Sequence, residues 1–441
     1  MTPSRVVGAA TVVYAAVFFV LGADRYVTFH SGADLGLFAQ TIAGAFHGFS
    51  NTFEGGSHFA YHFSPILYLC APLVWIARSA LALVLVQAVA TALIAPALFA
   101  IARRRTTDWN AASLACIALL YPPLQGVTFT DFHEVAFAPA ATAWLLWAID
   151  VRRYGVAAVL VAVTLAIKED QASAMAFVGI ACCAYFGKKH ERAGIVFGGC
   201  VVAAAVTVFV TYFAVVRAMA GAAGAWVPEH FYAWQGYAHA RPLPEQIGGR
   251  VTYLLEAFVP LAFVPLRSRV VLLSLPGFVE VLASREPLTY TMGQHYAAVW
   301  IPYVLVAFAV AGAKLLAAPK GARWIRAAAI LCALTLGFFS PLHLGHFLRL
   351  PDARDAATER LIGQIPAGAS VGTYDEIYAH LGFYPNAAVG LRGQPQYVIM
   401  DDRYSSAPWD STWLPQLKRE AANGNYTVVA NSDGVMLFRR R

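Results

Sequence analysis

The sequence predicts an all-α polytopic membrane protein with about eleven transmembrane helices, followed by a small α/β domain at its C-terminal end. Three observations predict it. Apolar residues come in blocks of about 15–24, enough to span or nearly span a hydrocarbon core of ~30 Å. Lys and Arg cluster in alternate turns between those blocks, and after residue 344 the composition becomes that of a soluble domain. The chain of 441 residues is 59% hydrophobic and only 13% charged, with a mean hydropathy of +0.57. Soluble domains carry nearer a quarter charged residues, so lipid is the solvent this composition fits. The net charge of +7 is not a nucleic-acid signature, because the basic residues sit where membrane topology explains them.

The apolar blocks lie at 6–22, 79–102, 110–128, 135–151, 155–168, 171–187, 193–216, 251–266, 270–284, 296–317 and 325–342. Arg5 precedes the first block as in a signal peptide. Leu21-Gly22-Ala23-Asp24 is a poor cleavage site, however, so this block reads as a retained helix. One set of turns, from Arg103-Arg104-Arg105 through Arg152-Arg153 and Lys188-Lys189 to Arg326, carries fourteen basic residues. The opposite, longer loops carry seven. The positive-inside rule therefore puts the N-terminus in the cytoplasm and the C-terminal domain outside. Ser64–Ala77 is apolar but short, with Pro65 and Pro72, and a crossing there would export Arg103–Arg105. It reads as a re-entrant or juxtamembrane helix on the outer face. Pro122-Pro123 breaks the span 110–128, an irregularity tolerated where backbone lines a polar cavity.

Two outer segments are long, 23–63 and 217–250. In the second, Trp226–Tyr237 is rich in aromatics and reads as an interfacial belt or a substrate-stacking surface. All six cysteines fall inside apolar blocks without a CxxC pair, as small apolar membrane residues do. The transmembrane domain is 1–344 and the α/β domain 345–441. In the latter, Ser370–Tyr374, Gln396–Met400, Tyr426–Val429 and Val435–Phe438 read as strands, and Glu376–Leu381 and Trp413–Ala422 as helices. This domain is expected to fold separately and to lack the catalytic centre. Its Asp401-Asp402 pair reads as a strand-end turn.

Ionisable residues gather on the outer side in this topology. The first cluster holds His30, Asp34, His47, Glu54, His58 and His62. Asp34 heads an amphipathic stretch with Leu35, Phe38, Ile42 and Phe46 on one stripe, so it reads either as an N-cap or first-turn acid of a surface helix or as a reactive one. Thr130-Asp131-Phe132-His133-Glu134 and Lys168-Glu169-Asp170 form tight loops between short spans. Charges near headgroup level are costly and usually functional. Gln294-His295-Tyr296 follows Arg285-Glu286 just before another span. No G-x-S-x-G elbow, Walker A loop or dinucleotide fingerprint is present. His58-x-x-x-His62 without a following Glu is weak evidence for zinc.

The runs Asp34-Leu-Gly-Leu-Phe-Ala-Gln40 and His62-Phe-Ser-Pro-Ile-Leu-Tyr-Leu-Cys-Ala-Pro72, with Gln87, Tyr121-Pro-Pro-Leu-Gln-Gly126, Asp131-Phe-His133, Lys168-Glu-Asp170, His295-Tyr296 with Pro302, and Tyr397-Val-Ile-Met-Asp401, resemble the bacterial membrane family DUF2079 over nearly the whole chain. That family looks like a member of the GT-C glycosyltransferase superfamily. The resemblance implies a GT-C-like bundle in the bacterial inner membrane, with two juxtamembrane helices, matching 35–48 and 64–77. It implies a polyprenyl-phosphate-linked sugar donor and transfer to an acceptor at the outer face. It also implies a catalytic acid in the first outer loop, where Asp34 stands, with Asp131 and Glu169 as further catalytic candidates. Some members hold a divalent metal (Mg, Mn or Ca) through outer-loop acids, and Asp131, His133, Glu169 and Asp170 are the matching candidates, although no DxD or ExD pair is present. His62, His133, Lys168, Asp170, Arg285, His295 and Tyr296 are candidates for substrate binding, with Lys168, Arg217 and Arg285 available to a departing phosphate.

The resulting reading is a membrane glycosyltransferase that works on a polyprenyl-phosphate carrier among membrane lipids, without nucleic acid. The alternatives are a transporter or flippase of a polyprenyl-linked or polar substrate, and a non-catalytic envelope assembly factor.

Overall fold

The computed structural model describes residues 1–221, 229–232, 243–335, 349–401 and 413–441. The aromatic segment 226–237 lies outside these except for 229–232, as do the end of the last predicted span, the 344/345 boundary and Asp402. Helix α1 (Pro3–Val27) buries only Val7, Tyr14 and Phe18, while Val12, Val13, Val17 and Val20 stay exposed. An apolar helix that turns Val outward at successive turns is one solvated by lipid. Among the described residues three helices are long and apolar enough to cross a membrane: Pro3–Val27, Leu81–Ala102 and Arg192–Met219. Asp108–Leu119 and Pro122–Phe129 make a fourth as a pair bent by 53° at the predicted proline break. The other predicted spans are shorter helices, such as Tyr154–Leu165, Gln171–Gly187 and Ile301–Leu316. The predicted 251–266 and 270–284 resolve into Leu243–Phe258, two 3-10 turns and Leu275–Ala283. Helix length therefore does not establish eleven crossings.

Ile301–Leu316 is the centre of the bundle, buried at every position from Ile301 to Ala313. Close backbone contact recurs where glycines meet: a Cβ on Gly126 would lie 2.6 Å from the Cα of Gly293. After α1 the chain forms helix α2 (Ala33–Ala43), the small hairpin β1 (Ser50–Asn51) and β2 (Gly56–Ser57), and the short helix Ala71–Ala77 behind a 3-10 turn, Pro65–Leu69. The two juxtamembrane helices predicted for this segment are thus present, with 64–77 too short to cross.

The C-terminal segment forms a five-stranded sheet of β3 (Val371–Thr373), β4 (Ala387–Val389), β5 (Tyr397–Asp401), β6 (Tyr426–Ser432) and β7 (Val435–Arg440), in the order β4-β3-β5-β7-β6. β3 is parallel to β4 and β5, whereas β7 is antiparallel to β5 and β6. The four predicted strands and both predicted helices are found. Strand β4 and the helix Ala353–Ile362 are additions. Asp401 is fully buried and paired with Arg354 at 2.9 Å, so it closes a structural ion pair.

The expected C-terminal domain shares its core with the first outer loop. One hydrophobic core runs from Phe29, Leu35, Phe38, Ile42 and Leu83 to Ile377, Tyr378, Val398 and Leu437. A Cβ on Gly36 of α2 would meet the Tyr378 carbonyl oxygen at 2.7 Å. Buried Gln40 donates to the carbonyls of Tyr384 and Ala387, and accepts from Tyr378 Oη and from the Thr52 amide. The His380 ring stacks on Tyr26 and Phe29, each at 4.0 Å. The sheet is therefore the second wall of the loop that carries Asp34.

Candidate active site

A cavity of about 730 Å³ opens beside α2. Its polar wall carries Asp34, Glu54, His58, His62, His133, Glu134, Lys168, Glu169, Asp170, Glu280, His295 and Tyr296. Its apolar wall includes Leu37, Phe38, Phe209, Phe213, Val279 and Val299.

Asp34 lies in the first turn of α2, whose N-cap is Gly32, and no side chain caps the helix, so Asp34 stands as its first-turn acid and not as its cap. Its carboxylate, 47% exposed, opens into the cavity 3.5 Å from His133 Nε2. Although half of it opens to the cavity, the protein around it desolvates the carboxylate and raises its pKa above the ordinary value; His133 opposes this, and Asp131, Glu134 and Glu54 add to it. His133 is held from behind: its amide donates to Gln87 Oε1, its Nδ1–H to the Asp131 carbonyl, and its ring stacks on His295 at 3.5 Å. Nε2 is thereby left to face Asp34.

Asp131 itself does not line this cavity. Its carboxylate accepts from Arg25 at 3.0 Å and from the Gly32 amide at 2.7 Å, and so pins the turn that precedes Asp34. Two other carboxylates back histidines. His58 Nδ1 donates to both Glu54 oxygens at 2.9 and 3.0 Å, and His62 Nδ1 donates to Glu169 at 2.8 Å. Glu169 also accepts from the Phe63 amide. Burial pushes Glu169 up, but His62 and Lys168 overcome it and bring its pKa to about 2. Asp170, beside Gln171, is raised to about 6 by burial, with Glu169 adding to the effect and Lys168 opposing it. Lys168 Nζ stands 3.8 Å from Glu134 and is the one Lys or Arg among the described lining residues.

Arg285 and Arg217 do not line the cavity: the Arg285 amide bonds Phe231 and the Arg217 guanidinium bonds the Ala60 carbonyl. Conversely, Glu280 lines the cavity and was missed in the sequence. The available signal was a single acid inside the predicted span 270–284, where a carboxylate is expensive. The predicted metal set does not fit as a set. Asp131 is turned to Arg25, Glu169 to His62, Asp170 to Gln171 and His133 to Asp34. Among the described residues no three His, Cys, Asp or Glu side chains converge as ligands.

The fold is a helical bundle that carries a small mixed sheet. Two solved structures share it: ArnT from Cupriavidus metallidurans bound to undecaprenyl phosphate, at TM-score 0.59 and 13% identity over 97% of both chains, and the same protein in the apo state, at TM-score 0.57 and 14% identity over 97% of this chain and 96% of that one. No curated protein sequence matches. Residues 25–437 match the family described as "Predicted membrane protein (DUF2079)", and the chain belongs to that family.

Proposed function

We propose that the protein is a glycosyltransferase of the inner membrane that takes a sugar from a polyprenyl-phosphate carrier and passes it to a lipid, glycan or protein acceptor at the outer face. The observation that carries this reading is the cavity. It brings Asp34, the raised carboxylate of α2, to one space with Lys168 and the carboxylate-backed histidines. A solved relative in fold is described as bound to undecaprenyl phosphate, which supports the same carrier here. An apolar groove of about 440 Å³, lined by Phe63, Pro65, Leu165, Phe197, Val201 and Val208, suits an isoprenoid tail.

In this reading Asp34 is the general base. It takes the acceptor's hydroxyl proton while the acceptor oxygen bonds to the anomeric carbon. The bond from that carbon to the phosphate oxygen breaks, the electron pair leaves with the phosphate, and Lys168 offsets its charge. The orientation follows the basic asymmetry of the turns, with the N-terminus cytoplasmic and the C-terminal sheet outside.

The test is transfer of labelled sugar from a synthetic polyprenyl-phosphate donor by the purified full chain in detergent. Release of the lipid phosphate without a glycosylated product, or no turnover with any donor, would overturn it. Phosphatase activity of a fusion after residue 190 would overturn the orientation.

A further inference from the structure

Three side chains on the cavity wall carry buried polar atoms that no protein group satisfies: His295, at Nδ1, and two that are themselves almost wholly enclosed. His58, 2% exposed, has its Nδ1 on Glu54 and its Nε2 without a hydrogen bond. Glu134, 1% exposed, has neither carboxylate oxygen hydrogen-bonded, and its nearest cation, Lys168, is 3.8 Å away. A buried polar atom without a partner costs roughly 1–3 kcal/mol, and more when charged. Natural proteins rarely leave four such atoms on one wall.

The two side chains are complementary in role. Burial disfavours the His58 imidazolium, but Glu54, Glu134 and Glu169 outweigh it and raise the pKa, which favours the form whose Nε2 carries a hydrogen to donate. Burial likewise disfavours the Glu134 carboxylate, but Lys168, His62, His58 and His133 outweigh it and lower its pKa, so both oxygens accept. A phosphate would answer His58 and be repelled by Glu134, and a cation the reverse. A hydroxyl answers both, since it accepts through oxygen and donates through hydrogen.

We infer that His58 and Glu134 form the sugar subsite of the cavity, where His58 Nε2–H donates to one ring hydroxyl and the Glu134 carboxylate accepts from that hydroxyl or its neighbour. This deepens the transferase reading and rests on it. Glu54 is the positioning residue, because it orients the His58 ring and keeps it charged. The groups around His58 are Glu54 on its own loop, His62 with ring centroids 5.7 Å away, Phe38 from α2, and Glu134 and Glu169 from the two facing loops.

The experiment compares the affinity of the purified full chain for farnesyl phospho-glucose, farnesyl phospho-mannose and bare farnesyl phosphate, by calorimetry in detergent. The expected result is that at least one sugar-bearing lipid binds about tenfold tighter than the bare phosphate, through two further hydrogen bonds. That preference should fall toward unity in His58→Gln and in Glu134→Gln, whose melting is followed in parallel. Glu54→Gln should move the pH at which the preference is lost to lower values, which a loss of packing would not do. If both lipid classes bind equally to the wild type, the subsite is overturned and the lipid-carrier reading stands. The same holds if the preference survives in whichever of His58→Gln and Glu134→Gln folds. If the wild type binds none of the three, both readings fall.

Discussion

Changing Asp34 to Asn separates chemistry from structure in one variant. Because Gly32 is the N-cap, Asn removes no cap. What it removes is a first-turn charge, worth about 0.3–1 kcal/mol against the helix dipole, and a contact to His133 at 3.5 Å that is too long for a strong hydrogen bond. Against this stands a relief. The raised pKa means that the folded protein disfavours the carboxylate, because of burial and the neighbouring Asp131, Glu134 and Glu54. A neutral amide escapes that penalty, so the net change should lie within about 1 kcal/mol, or about 2 °C in melting temperature for a chain of this size. The rate should respond very differently. Loss of a general base costs about 10²–10⁴-fold, equivalent to roughly 2.7–5.4 kcal/mol of barrier. Differential scanning fluorimetry and initial rates of labelled-sugar transfer, measured on the same preparation, give both numbers. The wild-type rate should also fall on the acid side at a pH above the ordinary carboxylate range, in keeping with the raised pKa. A folded Asp34→Asn variant with more than a tenth of the wild-type rate would refute the assignment.

Three further outcomes follow from the same geometry. Glu169→Gln should cost about 1.5–3 kcal/mol at neutral pH through its lost charged hydrogen bonds to His62 and Phe63. Since Glu169 titrates at about 2 when folded and near 4.5 otherwise, its contribution is complete above about pH 4.5 and is lost as pH falls toward 2. Acid unfolding curves of the variant should be flatter in that window. Asp131→Asn should lower stability by about 1–3 kcal/mol, by weakening the Arg25 pair and the Gly32 bond, with a smaller effect on rate than Asp34→Asn; the reverse order would move the base to Asp131. Finally, residues 349–441 expressed alone should give no cooperative near-UV melt, because the loop side of their core is missing. A sharp melt of the fragment would contradict the shared core.

Most of the site could be read from local features, because membrane topology forces polar residues of short loops to one side. That is why His62, His133, Lys168, Glu169, Asp170, His295 and Tyr296 were named together with Asp34, and why they share a cavity. Direction within a loop could not be read. Asp131 and His133 are neighbours, yet one turns to Arg25, 106 residues away, and the other to the cavity. That choice depends on a tertiary partner with no local signature. Glu280 was hidden by its span, since eight apolar neighbours outvote one acid in a hydropathy window. Strand β4 is three residues at a sheet edge, too short to display alternation. The shared core had no signal in the sequence, because a composition shift reports which residues meet water, and does not report which apolar faces meet each other.

The shared core also imposes an order of events on synthesis. Phe29, Leu35, Phe38 and Ile42 emerge first, and the residues that cover them, such as Ile377, Tyr378 and Leu437, are made more than 300 residues later. Until the ribosome finishes, the loop that carries Asp34 keeps an apolar underside open to chaperones and proteases. A chain truncated before the sheet would therefore be recognisable from a defect more than 300 residues upstream of its missing end, and the integrity of the C-terminus becomes a condition for the maturity of the first loop.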